Sequence, residues 1–355
     1  MAYISFQPET YFQTMLYTGD GTDARALTND GIVNLQPDLI WIKCRTAVNW
    51  HDVTDSSRGV TKSIYPSETS LEVTDANSVQ AFSSDGFTVG TQDQVNEDTK
   101  TYAAWQWKGN AGTTALNVDG TKDTTVQVNT TAGFSMFTYA GSDVSRTFGH
   151  ALGVVPDLVI VKNLSATGSW HCYWKPLGNQ GLNWLDDNAT ASTTSTTWDS
   201  TSPTSTVITM NGGASYTGTN RASNNYIAYC FTSIKGYSQI GNYKGTGNID
   251  GTFINLGFSP AVVIIKNAGA NKNWYMFDSA RDPYNLTDRA LKPDINDIEA
   301  DSSDWNALDL LSNGFKLRGG SSGVGDDLNG AYNYVYVAFA KNPFVSSNSI
   351  PATAV

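Results

Sequence analysis

A short apolar run, led by a proline and closed by a lysine, occurs three times along the chain. The copies are Pro37-Asp-Leu-Ile-Trp-Ile-Lys43, Pro156-Asp-Leu-Val-Ile-Val-Lys162 and Pro260-Ala-Val-Val-Ile-Ile-Lys266. Each is rich in β-branched residues, and the proline stands where its missing N–H breaks no ladder, which predicts a central strand. Asn49-Trp50, Ser169-Trp170 and Asn273-Trp274 open a second run soon afterwards. An aromatic strand then closes each copy: Tyr102-Ala-Ala-Trp-Gln-Trp107, Tyr226-Ile-Ala-Tyr-Cys-Phe231 and Tyr334-Val-Tyr-Val-Ala-Phe339. Alternation puts Ala103, Trp105 and Trp107 on one apolar face, matched by Ile227, Tyr229 and Phe231 and by Val335, Val337 and Phe339. Three landmarks in one order predict three tandem copies of a unit of about 110 residues.

Opening strands are expected at Phe12–Thr18, Phe134–Tyr139 and Tyr237–Tyr243, and Asp-Gly or Asn-Gly turns before Phe87 and Phe315. The units so drawn are an arm at 1–11, repeat one at 12–109, a linker at 110–133, repeat two at 134–235, repeat three at 236–344 and a flexible tail at 345–355. The linker is expected to carry one hairpin arm around Thr124–Val128, and Asp186–Pro203 is expected to be a long exposed loop. Asp294–Ala300 is the best short-helix candidate. The sum is an all-β protein of three tandem β-sandwich domains, jelly-roll or lectin-like. The proline-led strand is apolar on both faces, Leu39 and Trp41 on one and Ile40 and Ile42 on the other. An antiparallel sheet normally leaves one face to water. Loops of the same unit, the next unit or another subunit must therefore cover the second.

Composition supports this picture. Of 355 residues, 15% are charged and 12% aromatic, which suits a globular β-protein with polar turns. The net charge of −11 and the lack of a basic stripe exclude a nucleic-acid surface. Cys44, Cys172 and Cys230 are odd in number and do not recur between repeats, so free thiols are expected, as in a reducing cytoplasm. No signal peptide or membrane span is evident.

The chemistry is thin. His51, His150 and His171 form no metal-ligand pattern, and no nucleophile elbow or phosphate loop appears. Asp55-Ser-Ser-Arg58 and Asp278-Ser-Ala-Arg281 read as surface ion pairs. Asp186-Asp187 and Asp326-Asp327 read as solvated loop acids, and calcium at Asp20, Asp23, Asp326 or Asp327 lacks a full ligand loop. No catalytic residue, cofactor or metal is therefore assigned. The recurring Trp50, Trp170 and Trp274, with Trp107, Phe231 and Phe339, are expected in the core. Trp184, Trp198 and Trp305 do not recur, and are the candidates for stacking on a glycan.

Four stretches resemble a family of bacteriophage virion proteins frequent in marine phages, cyanophages especially: Gly236–Gly251, Asn273–Arg281, Leu311–Arg318 and Tyr334–Phe344. The resemblance runs from about Tyr11 to Phe344 and implies a non-enzymatic virion component, tail-fibre-like or simply structural, assembled in the host cytoplasm. It implies other virion proteins as partners, and the attachment role adds a host-surface glycan or receptor. A homo-oligomer, a trimer for a fibre, is expected. A capsid decoration protein and a carbohydrate-active enzyme on a lectin-like sandwich are the alternatives.

Overall fold

The computed structural model describes residues 6–213, 215, 218–301, 307–319, 323–342, 344–345 and 351–352. It is nearly all β, and the α-helices among the described residues are Asp93–Asn96 and Gly323–Asn329. The same antiparallel order recurs in the three repeats: opening strand, closing strand, proline-led strand, return strand. In repeat one these are Phe12–Thr18, Thr101–Trp107, Leu39–Cys44 and Asp52–Asp55. In repeat two they are Phe134–Ala140, Asn225–Phe231, Leu158–Asn163 and His171–Trp174. In repeat three they are Ser238–Lys244, Asn333–Ala340, Pro260–Asn267 and Trp274–Asp278. The register is conserved with the order. Leu39 lies between Trp107 and Asp55, Leu158 between Phe231 and Trp174, and Val262 between Phe339 and Asp278. Both backbone edges of each proline-led strand are paired, as a β-branched central strand requires.

Each sheet is covered on both faces, by different things. One face packs against a small sheet of the same repeat. In repeat one this sheet is Arg25–Leu27, Gly86–Val89 and Val79–Ser83, and Ile40, Ile42, Tyr102 and Ala104 join Phe87 and Val89 in one apolar cluster. Repeats two and three have corresponding private clusters. The other faces of all three sheets meet in one common cluster. It holds Leu39, Trp41 and Trp105, then Leu158, Trp174 and Tyr229, then Val262, Ile264 and Val337. The second apolar face foreseen in the sequence is thus covered by the neighbouring repeats. At its centre Trp107, Phe231 and Phe339, equivalent by register, form a triangle of rings. Their centroids are 6.3, 5.6 and 5.8 Å apart, within the range of favourable aromatic pairs.

Several expectations are corrected. Trp50 is not core: it is 38% exposed, whereas Trp170 and Trp274 are 1% and 2% exposed. Pairing of Ile42 with Asp52 and of Val161 with His171 makes His51, not Trp50, the equivalent of Trp170. A one-residue offset in a strand of period two turns a side chain to the other face. Asp294–Ala300 is not a helix. So short a helix would be marginal alone, and the backbone of this segment bonds to repeat one instead, as Glu299 N–H does to Arg45 O at 2.8 Å. Residues 110–133 are more than a linker: Ala115–Asn117 and Thr124–Asn129 pair as a hairpin that adds two strands to one edge of the sheet of repeat two, and Asn183–Trp184 at the other edge brings it to seven. The tract from Asp186 to Pro203 is folded down onto the protein at Trp198, which is fully buried. Most of the tail at 345–355 lies outside the described residues.

A shared core has a measurable consequence. Trp107→Ala opens the ring triangle and should cost about 3–5 kcal/mol. Calorimetry should show one cooperative transition moving as a whole, for wild type and variant alike. Separate transitions, only one of them shifted, would contradict the common core.

Candidate functional site

The sites where charged and polar side chains converge are the three contacts between repeats. The proline-led strand and its return strand are joined by a hairpin, at residues 45–51, 164–170 and 268–273 in turn. A strap from the neighbouring repeat crosses each hairpin. Residues 292–299 of repeat three cross repeat one, 65–72 of repeat one cross repeat two, and 184–191 of repeat two cross repeat three. One backbone bond recurs at all three: Glu299 N–H to Arg45 O, Glu72 N–H to Leu164 O and Ala191 N–H to Ala268 O, at 2.8, 3.2 and 3.1 Å.

The lysines closing the proline-led strands fasten these crossings. Lys43, Lys162 and Lys266 are each 0% exposed. Each ammonium donates to a carbonyl of its own hairpin and to one on the strap. Lys43 reaches Asn49 O (2.7 Å) and Asn296 O (3.3 Å). Lys162 reaches Gly168 O (2.5 Å) and Thr69 O (3.1 Å), and Lys266 reaches Lys272 O (2.6 Å) and Asn188 O (2.8 Å). Burial lowers all three to about 8. A ring nitrogen repeats the pattern. Trp170 Nε1 donates to Tyr65 O (3.0 Å) and Trp274 Nε1 to Trp184 O (2.9 Å). In repeat one His51 takes this place. Its Nδ1 accepts from Trp41 Nε1 at 2.9 Å. Indole N–H can only donate, so Nε2 carries the proton and donates to Lys292 O at 3.0 Å. Burial, followed by the nearby Lys43, pushes His51 well below the usual imidazole range.

The Asp-x-x-Arg turns lie in two of these contacts, and their charged side chains are buried rather than on the surface as expected. Arg281 is clamped by Asp278 at 2.5 Å and Glu299 at 2.8 Å, and Glu299 also takes Arg45 of repeat one at 2.8 Å. Burial opposes the charge on Arg281, but Asp278 and Glu299 outweigh it and raise its pKa. Arg58 is held likewise by Asp55 and Glu72 at 2.5 and 3.1 Å. The same aspartates accept from the adjoining repeat: Trp105 Nε1 to Asp278 at 3.2 Å, and Tyr229 OH to Asp55 at 2.7 Å. In the third contact Trp174 replaces the aspartate and packs in the common core. Glu72, Glu299 and the Trp105 and Tyr229 bonds had no sequence signal, because their partners lie far away in the chain.

Of the candidate glycan-stacking rings, the two described, Trp184 and Trp198, do not form a platform. Trp198 is fully buried, donates to Gly181 O at 3.0 Å and packs edge-on to Tyr173, so it offers no face to a sugar. Trp184 is half-buried, and Trp305 lies outside the described residues. The paired acids are engaged locally. Asp186 accepts from Trp170 N–H at 2.7 Å, while Asp326 and Asp327 hold Lys272 at 3.2 and 2.6 Å. Asp20 accepts from Thr22 and pairs with Arg25, and Asp23 accepts from Gln80. No group of three or more His, Cys, Asp or Glu among the described residues is placed to hold a metal ion. The three cysteines are free and buried. A groove of about 420 Å³ lies between repeats one and two, with Arg58, Glu72, Asp123 and Thr125 among its walls. Glu72 there pairs with Arg58 at 3.1 Å and Lys62 at 3.8 Å, so one of its two carboxylates is tied to cations. No helix among the described residues is long and apolar enough to cross a membrane.

A family model described as Domain of unknown function (DUF7483) matches residues 7–343. No curated protein and no solved structure matches the chain.

Two outcomes follow from the buried charges. Arg281→Ala leaves Asp278 and Glu299 buried with one cation fewer, and should cost about 3–5 kcal/mol in urea unfolding; a loss below about 1 kcal/mol, the worth of a surface pair, would show that the cluster is solvated. The second concerns His51. Its folded pKa lies below the unfolded value, so the unfolded chain takes up the proton first as pH falls. The contribution is complete above about pH 6.5 and is lost below it, by at most about 1.4 kcal/mol per pH unit. On moving from pH 7.5 to 5, wild type should lose stability relative to His51→Gln. Equal acid responses would contradict the neutral, buried imidazole.

Proposed function

The chain belongs to the DUF7483 family, and we propose that it is a non-enzymatic structural component of a phage particle, in the tail or a fibre, contributing to attachment at the host surface. In this reading each repeat is a β-sandwich of the jelly-roll or lectin-like kind, at 12–109, 134–235 and 236–344. One observation carries it. The groups that most resemble chemistry in the sequence, the aspartates of the Asp-x-x-Arg turns and His51, together with the recurring lysines, are engaged in holding one repeat to the next. Such use supports a rigid building block rather than a catalyst. The sequence resemblance to virion proteins supplies the particle. Its partners are other virion proteins and a host glycan or receptor met through loops, and a homotrimer belongs to the fibre form of the proposal.

A second reading, a decoration protein on the capsid, is favoured by the ring itself. Three equivalent sheets in one chain present a three-sided footprint, which suits a position of local threefold symmetry on a shell. Gold-labelled antibody against the protein, viewed on intact particles by electron microscopy, tests both. Gold at the tail or fibre tips is the expected result. Gold spread over the head would replace attachment by decoration, and absence from purified particles would overturn both.

A further inference from the structure

The opening strand of each repeat lies at the edge of its four-stranded core, and in two repeats that edge is occupied. In repeat two it pairs with Thr124–Asn129, which sets Asn129 opposite Phe134, Gln127 opposite Met136 and Thr125 opposite Thr138. In repeat three the connecting turn covers it: Ser238 N–H bonds to Ile234 O at 2.9 Å and Ile240 N–H to Ser233 Oγ at 3.0 Å.

In repeat one the edge is open among the described residues. The bonds Lys108 N–H to Tyr11 O and Gly19 N–H to Lys100 O continue the ladder at both ends. Odd-numbered residues therefore face the closing strand, and the backbone groups of Phe12, Thr14 and Leu16 point outward. No other described strand pairs with Phe12–Thr18. Beside it runs a groove of about 200 Å³, lined by Phe12 and Thr14, by Ser279 and Ala280 of repeat three, and by Glu9 and Lys341 among others. Thr14 Oγ1 is buried there without a hydrogen-bond partner among the described residues. Register makes Phe12 and Thr14 the counterparts of Phe134 and Met136.

We infer that this groove takes up an extended strand of a partner polypeptide, antiparallel to Phe12–Thr18, as Thr124–Asn129 lies on repeat two. Exposed strand edges are templates for such addition. The occupied groove defines the chemistry. There Gln127 Nε2 donates to Ser56 Oγ at 2.9 Å and Ser57 Oγ at 3.2 Å, and Ser279 holds the place of Ser56 in the open one. The partner strand therefore has uncharged, β-branched residues flanking a glutamine. Its C-terminal end meets the Phe12 end of the groove. The carboxylates of Glu9 and Asp30 line this groove, and neither is ion-paired among the described residues. A lysine or arginine one residue past the asparagine position complements them.

The test uses the full chain and the end-capped peptide Thr-Thr-Val-Gln-Val-Asn-Lys, followed by fluorescence anisotropy. Saturable one-to-one binding is expected. N-methylation of the peptide's glutamine, which removes one strand-to-strand bond, should weaken it about tenfold or more. A terminal Glu in place of Lys should weaken it about threefold. Thr14→Pro removes an outward N–H and no ladder bond, so the folded protein should survive and the binding be lost. Absence of binding, or binding indifferent to N-methylation, overturns the inference. Two further results would overturn it in favour of other occupants: a dimer in ultracentrifugation that Thr14→Pro abolishes, or slow amide exchange at Phe12, Thr14 and Leu16 in the isolated monomer.

Discussion

A sheet with two apolar faces cannot leave either in water, and that constraint organises this molecule. Each proline-led strand offers apolar side chains to both sides, and its own repeat supplies cover for only one. The three uncovered faces satisfy one another in a common cluster centred on Trp107, Phe231 and Phe339. Burial of a large side chain contributes about 1.5–3 kcal/mol, and the common cluster contains many such side chains from all three repeats. The repeats are therefore tied to each other by the same force that holds each together.

Closing the ring creates a polar problem that the seams resolve. Where a strap crosses a hairpin, backbone carbonyls are buried away from strand partners, and an unsatisfied one costs about 1–3 kcal/mol. Lys43, Lys162 and Lys266 reach from within the sheet to two such carbonyls each. The tryptophan or histidine ring at the far end of the same hairpin satisfies another. The direction is cyclic, repeat one to three, two to one and three to two. The contact between repeats three and one joins elements far apart in sequence, yet it carries the same bonds as the contacts between consecutive repeats. Ionic clusters reinforce two of the three seams, and indole packing serves in the third.

The equivalence is not complete, and its departures are informative. His51 occupies a tryptophan position and keeps the bond while changing the chemistry. Each opening strand has the same outward-facing backbone groups, yet a hairpin covers one, a connecting turn covers another, and the strand of repeat one has neither among the described residues. Where all three copies agree, the common core or a seam demands it. The differences lie at edges and in loops, and within the seams where another ring takes the place, as at His51 and Trp174.

Local pattern determined much of this. Period-two alternation and three recurring landmarks revealed the all-β class, the central strands, both apolar faces, and the burial of Trp107, Trp170, Phe231, Trp274 and Phe339, because strand geometry ties face to parity. Parity also explains the failure at Trp50, whose one-residue offset was visible but could not be weighed without the pairing register. Tertiary structure alone decided what covers the second face, that Asp55, Arg58, Asp278 and Arg281 are buried, that Trp198 is buried, and that residues 292–299 form a strap rather than a helix. Each of these depends on partners tens to hundreds of residues away, brought together only when the ring closes. A lysine at the end of an apolar strand reads locally as a solvated terminus; its burial between two carbonyls follows from the neighbouring repeat.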